Sequence, residues 1–558
     1  MILSYVGTEA ATAATANVDY DIVYVRWPRR GDDTVVMLPQ GEDPFRAEPG
    51  ADLALLHPDG SQELLVECED CCVQDPVISF DGEWVYYTKM LDAKNVRSPS
   101  HLFKMRIGGD APDSHEIQLT FDDGFTGRYH KGNDDVADDL GRYLSIRDMG
   151  PALLPGGKIA FTSNRGALVP ARPGTAFSVT NPWSVTICQI YVMDDHDGSM
   201  STSELSNMRC VGNGNLHLVQ HPIVLKDGRL LFSNWDDAGG KFQYAMTTLY
   251  AMHPDGSGLV AITEPHDHHK NVDHFATQLE DGAIVTAQYY PSYNFGFGHL
   301  VRFPLEISDP AYTRSPSPAK NTYNGYSISY RNYDRKGWVS VTPHTFPDDC
   351  LAPHRSGKYC MPAAAPDGAL LVAYSTGGVN HNNTCTQGDD QVLHSGIYLI
   401  PNAESAYVTD PTNASQLVKV LSSPDYNAIW PRPVVTYSEV HGEIEPKTLP
   451  WTSSTTPSDD RLAVGEAHAL VGTSSLYNRE SSTVGGDPFR PSQGREQHSG
   501  TWKIQGTDAG AVKNADIYAV RVVGAVPKPF RKPIDKLEDP IEHKAVVHLL
   551  PDSRQDRF

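Results

Sequence analysis

Apolar and polar positions alternate in one phrase that the chain repeats five times. Pro76-Val-Ile-Ser-Phe-Asp-Gly82-Glu-Trp-Val-Tyr86-Tyr-Thr returns as Pro151 to Thr162 and as Pro222 to Ser233. Looser copies surround Asp281-Gly282-Ala-Ile-Val and run from Pro362 through Asp367-Gly368 to Ser375. In four copies the proline stands six residues before the glycine. Each copy reads as strand, tight turn, strand, so each predicts a β-hairpin. A second phrase follows most copies: Leu102 to Gly109, Ile190 to Gly198, Leu249 to Gly256 and Ile397 to Pro401, with an earlier relative at Leu55 to Ser61. It predicts a third strand, and Leu259 to Thr263 a short fourth.

Four antiparallel strands per unit make one blade of a β-propeller. The expected fold is all-β, with six or seven blades over 19–440. A tail covers 1–18, a Pro/Ser/Thr-rich linker 441–460, and a small β domain 461–558, where strands such as Asp516 to Val523 lack the blade phrase. Turn glycines stand 54 to 86 residues apart. A minimal blade needs about 40–45 residues, so long insertions must decorate the blades. The strand Asp21 to Arg26 is placed to close the ring on the last blade, which protects exposed edges.

Acidic residues number 69 against 46 basic ones, a formal charge of −23. That argues against a nucleic-acid partner, which requires a basic surface. No apolar run approaches the roughly 18 residues of a membrane span. The opening Met1 to Gly7 is too short for a signal-peptide core, so either a leader has been removed or there is none. There are eight cysteines. An even number in a loop-rich β protein favours disulfides and a periplasmic or extracellular location. Cys188 with Cys210, and at least one pair among Cys350, Cys360 and Cys385, are the expected bonds. Closing the 188–210 loop would contribute about 3 kcal/mol through the unfolded state. The motif Cys68-Glu-Asp-Cys71-Cys72 leaves a metal–thiolate site open as an alternative.

Several stretches carry a family resemblance. They are His274 to Tyr290, Asn294-Phe-Gly-Phe-Gly298, Val471 to Ser482 and Asn514 to Arg521. With the blade phrases, they resemble the α subunit of hydrazine synthase and its bacterial relatives. In those proteins a TolB-like propeller of PD40-type repeats precedes haem-bearing domains. The resemblance implies an extracytoplasmic propeller module in a redox-associated or self-assembled complex. Its partner would be a multihaem cytochrome or a further copy of the chain. The sequence departs from the family in having no Cys-x-x-Cys-His, so it carries no covalent c-type haem by that motif. Whether the natural chain continues past Phe558 into a haem domain decides how much of the family's chemistry applies. The competing expectation is an enzyme, either haem-dependent and completed by another chain, or a metal-dependent lyase-like propeller.

Candidate chemistry is concentrated in three places. His266, His268 and His269, with His274, have the ligand types and density to hold a transition metal. The oligogalacturonate lyases, a related propeller class, use a histidine-rich metal site near the channel. Asp122-Asp123, Asp134-Asp135, Asp138-Asp139 and Asp194 to Asp197 offer oxygen ligands for calcium, without EF-hand spacing. His354, Arg355, Asn380 and His381 lie in long polar insertions suited to a ligand-binding loop. There is no nucleophile elbow, Walker loop or dinucleotide fingerprint.

Overall fold

In the computed structural model, the described residues are 18–29, 38–39, 46–95, 98–108, 115–122, 146–165, 168–169, 188–200, 207–212, 217–236, 246–263, 272–289, 296–305, 320–323, 326–329, 339–345, 357–376, 393–451 and 528–529. They form a six-bladed β-propeller, with six four-stranded antiparallel sheets. Blade one runs outward through Cys72–Ile78, Trp84–Met90, Ser100–Arg106 and Ile117–Gln118. The inner strands of blades two to five are Asp148–Leu154, His217–Val224, Val272–Gln278 and Lys358–Ala365. Blade six is composite. Its inner strand Tyr426–Pro433 comes from late in the sequence, and Ile22–Pro28, Asp52–Leu56 and Gln62–Val66 come from early in it. The ring therefore closes as the 21–26 segment predicts, with Ile22 opposite Pro433 and Pro28 opposite Tyr426.

The turn chemistry accounts for the repeated Asp-Gly pairs. Asp81, Asp227 and Asp281 each accept a bond from the backbone N–H two residues on, at 2.9–3.0 Å. Asp59, Asp197 and Asp255 do the same between third and fourth strands. Such Asx turns hold the chain tightly while glycine takes the left-handed position.

The prolines of the repeat have a separate meaning. Every inner strand carries a β-bulge at the same height, seen as a register break between Gln74 and Val77, Met149 and Ala152, Gln220 and Ile223, His274 and Thr277, and Cys360 and Ala363. Blade six breaks register at the equivalent place, opposite Val23 to Val25. The bulged residues Asp75, Gly150, His221, Phe275, Met361 and Trp430 all have positive φ, from 46° to 60°. Five precede a proline, which removes a ladder donor where pairing is already interrupted. In blade four Ala276 takes its place. Five side-chain-bearing residues in this conformation store strain of about 1–2 kcal/mol each. The ring they form must be held by packing.

After blade six the chain turns across the channel. The helix Tyr437–His441 is closed by a capping box between Thr436 and Glu439 and ends at Gly442, whose φ is 72°. Tyr437 N–H donates to Phe80 O at 2.8 Å. Lys226 Nζ donates to the carbonyls of Glu280 and His441, both at 2.8 Å, and Lys447 N–H to Lys226 O. Gly228 is required under this strap, because a Cβ there would meet Lys447 O at 2.1 Å. The guanidinium of Arg209 lies 3.4 Å from the centre of the Trp451 ring. Residues 441–451, the first part of the expected linker, thus pack on the propeller. Of the expected small β domain only Lys528–Pro529 is described, paired with Leu168–Val169; the rest lies outside the described residues. Among the described residues no helix is long and apolar enough to cross a membrane.

Candidate functional site

The six bulged residues meet in the channel. On one side Phe275, Met361 and Trp430 are buried in the main core. Phe275 stands edge-on to Trp430 at 6.3 Å between ring centres, and Trp27 backs Trp430 at 6.2 Å. On the other side Asp75, Gly150 and His221 form a polar half. His221 Nε2 faces Asp75 Oδ1 at 3.1 Å, an ion-pair distance off hydrogen-bond alignment. The contact passes over blade two because that blade supplies Gly150. A Cβ at Gly150 would lie 3.2 Å from Pro222 and 3.3 Å from the His221 Cα. Gly150 N–H donates to Asp75 Oδ2 at 3.2 Å and to Thr88 at 3.1 Å.

A buried chain continues from His221 into blade four. His221 Nδ1 and His274 Nε2 are 2.6 Å apart, and His274 Nδ1 lies 2.7 Å from Tyr289 Oη. Burial, with His221 beside it, holds His274 far below the ordinary imidazole range, so it is neutral. With His274 neutral, one proton assignment satisfies both of its contacts: Tyr289 O–H donates to His274 Nδ1, and His274 Nε2–H donates to His221 Nδ1. Both nitrogens of His274 are thereby engaged.

Beyond the ring lies a cavity of about 210 Å³, roofed by the strap. Its wall includes Arg432, Tyr437 and His441, the bulge prolines and apolar side chains such as Phe80, Leu153 and Val440. Arg432 is fixed by two bonds of 2.9 Å, from Nε to Pro76 O and from Nη1 to Pro431 O. These leave Nη2 without a protein partner. Burial lowers its pKa to about 10 against the opposing pull of Asp75 and Cys360, so it stays charged. The Tyr437 hydroxyl and His441 Nδ1 are buried with no hydrogen-bond partner. Burial raises the Tyr437 pKa, and burial with nearby Lys226 lowers that of His441 to about 4. At neutral pH both are uncharged.

The sequence-predicted sites fare differently. His274 is in the channel, with both nitrogens engaged as described; His266, His268 and His269 lie outside the described residues. Among the described residues no cluster of three or more metal-ligating side chains is present. His354, Arg355, Asn380 and His381 also lie outside, as do Asp123, Asp134, Asp135, Asp138 and Asp139. Asp194 binds Asn207 and Lys158, and Asp195 binds Lys104 and Tyr86. Asp122 lies 3.5 Å from His101.

The expected Cys188–Cys210 bond is not formed. The strand register sets Cys210 opposite Tyr191, three residues beyond Cys188. Three residues of strand span about 10 Å, past the limit of about 7 Å for a bridge. Cys188 is a buried thiol, Cys210 an exposed one and Cys360 a buried one. Cys350 and Cys385 lie outside the described residues. The bond present is Cys68–Cys71, with Cα atoms 4.9 Å apart, in the motif left open as a thiolate site. Cys72 beside it is a buried thiol whose pKa burial pushes up to about 12, against the opposing hydrogen bond from Gln74. Mass spectrometry of unreduced peptides should find Cys68 and Cys71 joined and Cys72 alkylated only after unfolding. Alkylation of Cys68 and Cys71 without reductant would refute the bond.

Five side chains of the site were not singled out in the sequence: Asp75, His221, Arg432, Tyr437 and His441. A signal was available for two of them. The residue before each repeat proline enters the channel, and Asp75 and His221 are the charged and titratable members of that set.

The fold and the channel define a β-propeller protein. No family model matches the sequence, and no curated protein matches it. Among solved structures the chain is similar to Kuenenia stuttgartiensis hydrazine synthase, at 16% identity and a TM-score of 0.47, over 79% of this chain and 48% of that one. It thus spans about half the length of that protein. It is similar to a puromycin hydrolase at 15% identity and TM-score 0.34, covering 74% and 47% of the two chains. An oligogalacturonate lyase in complex with manganese is 10% identical with TM-score 0.31, covering 72% and 79%.

Proposed function

We propose that this chain is a propeller binding module whose ligand occupies the strap-covered channel cavity. The observation that carries the reading is Arg432, a charged group held rigidly in an apolar wall with Nη2 left open to the cavity. Small-molecule sites are concave and mostly apolar, with a few fixed polar groups that set orientation. The Cys68–Cys71 bond supports an extracytoplasmic location, since such bonds persist in oxidising compartments. The stretches at 274–298, 471–482 and 514–521 support membership of a redox-associated or self-assembled complex, with a multihaem cytochrome or a second copy as partner.

The test is a thermal-shift screen of the purified protein against a small-metabolite panel, with Arg432→Met alongside. A compound that raises the wild-type Tm and leaves R432M unmoved supports the reading. A panel without a hit, or hits that shift both proteins equally, would sink it. Co-purification with a cytochrome, or a concentration-dependent oligomer, tests the complex separately.

A further inference from the structure

The charges of the cavity wall restrict its ligand further, on the reading that the channel is the binding site. Arg432 carries one positive charge and Asp75 one negative charge, and the two are electrostatically coupled. His441 and Tyr437 are neutral at physiological pH. The remaining wall is proline, apolar side chains, His221 of the bulge ring, and the uncharged Ser79, Thr277, Gln278 and Thr436, whose side chains are bonded within the protein. The fixed charges therefore cancel. A ligand with net charge would leave an uncompensated ion in a low-dielectric space, which disfavours it. Asp75 gives a cation little purchase. Gly150 N–H donates to its Oδ2, and its Oδ1 is walled in by His221.

The wall also restricts hydrogen-bonding polarity. A guanidinium is a donor and never an acceptor. Nη2 of Arg432 is open, while Nε and one N–H of Nη1 donate to the carbonyls of Pro76 and Pro431. The proline nitrogens around the ring supply no N–H. Tyr437, protonated, adds a hydroxyl that lacks a partner. The wall asks for an acceptor. Its volume of about 210 Å³ is below the roughly 300–1,000 Å³ of clefts for drug-sized ligands.

We infer that the channel binds a small, uncharged molecule presenting a carbonyl- or amide-type oxygen to Arg432 and Tyr437, with a compact apolar body against Phe80, Leu153 and Val440. The experiment uses a matched set: isobutyramide, isobutyrate and isobutylamine, titrated calorimetrically at millimolar concentration into the full chain. Isobutyramide should bind at least tenfold more tightly than the two ions, about 1.4 kcal/mol per tenfold. Its affinity should fall tenfold or more in both Arg432→Met and Tyr437→Phe. The second variant sits on the surface strap and serves if the first fails to fold. Tighter binding of isobutyrate, lost in R432M, would overturn the charge class and leave the channel reading standing. Binding of any of the three that neither variant changes would overturn both. Failure of all three to bind overturns this inference, while a metabolite hit that depends on Arg432 would still uphold the channel.

Discussion

Asp148→Ala is expected to cost about 3–5 kcal/mol of stability, the range for breaking a buried ion pair from one side. Asp148 is wholly buried at the seam of blades one and two. Arg165 grips it through Nε at 3.0 Å and Nη2 at 2.6 Å, Ser163 donates at 2.7 Å, and His101 Nδ1 lies at 3.4 Å. Removing the carboxylate takes the ion-pair partner from a guanidinium that is itself buried, and a bond to a neutral carbonyl such as Phe121 O cannot replace the lost charge. Asp148→Asn keeps the shape and loses the charge, so it separates packing from electrostatics. Urea denaturation of both variants measures the effect. A change below about 1 kcal/mol in D148A would mean the cluster is no more than a surface-like pair.

The same cluster sets a pH signature. Burial alone would raise the Asp148 pKa, but Arg165 and His101 outweigh it and hold the group well below the usual carboxylate range. Its stabilisation is complete above the unfolded value near about pH 4 and is lost as pH falls through the depressed folded value. For His101 burial pulls the pKa down, and Asp122 and Asp148 together outweigh that and raise it. Its contribution is present below about pH 6.5 and is lost as pH rises through the folded value. The two overlap between about pH 4 and 6.5. A plot of Tm against pH should be highest there for wild type and flatter in D148A.

Blade count and closure were legible because they depend on patterns of a few residues. The hairpin glycines, the Asp-Gly turns and the unpaired strand at 21–26 each report a local necessity. The proline six residues ahead of the glycine was legible too, but its meaning was not. It marks a bulge, and only the assembled ring shows that the preceding residues share one height in the channel. Asp75 and His221 lie 146 positions apart, and no local period joins them. Arg432 becomes a site residue through Pro76 O, from a strand at the other end of the sequence. The Cys188–Cys210 expectation failed for the same reason: an even cysteine count says nothing about register, and register decides which cysteine meets which residue. The anchors of the strap were not legible in composition: its prolines and polar residues read as a linker, and the groups that hold 441–447 to the propeller are backbone carbonyls that composition does not display.

Trp430→Ala should be the largest single-residue core defect, costing about 3–5 kcal/mol by the usual scale for buried aromatics. Trp430 is 1% exposed, in the left-handed region at φ 50°, with Phe275 and Trp27 against its ring. The alanine keeps the backbone strain, so the variant loses the packing that offsets it. The gap cannot collapse easily, because its walls include Phe275 on the inner strand of blade four and Trp27 on the second strand of blade six, each fixed by its own sheet. The apolar space left beside the channel cavity, which Trp430 lines, accepts an apolar guest. Indole should therefore restore part of the lost stability in W430A and do nothing for wild type. The urea midpoint, with and without indole, measures both effects. A shift of less than about 1 kcal/mol on W430A would show that the bulge ring is not what holds the channel closed. A full loss with no indole response would show that the walls fall inward, and that the five strained positions depend on one another.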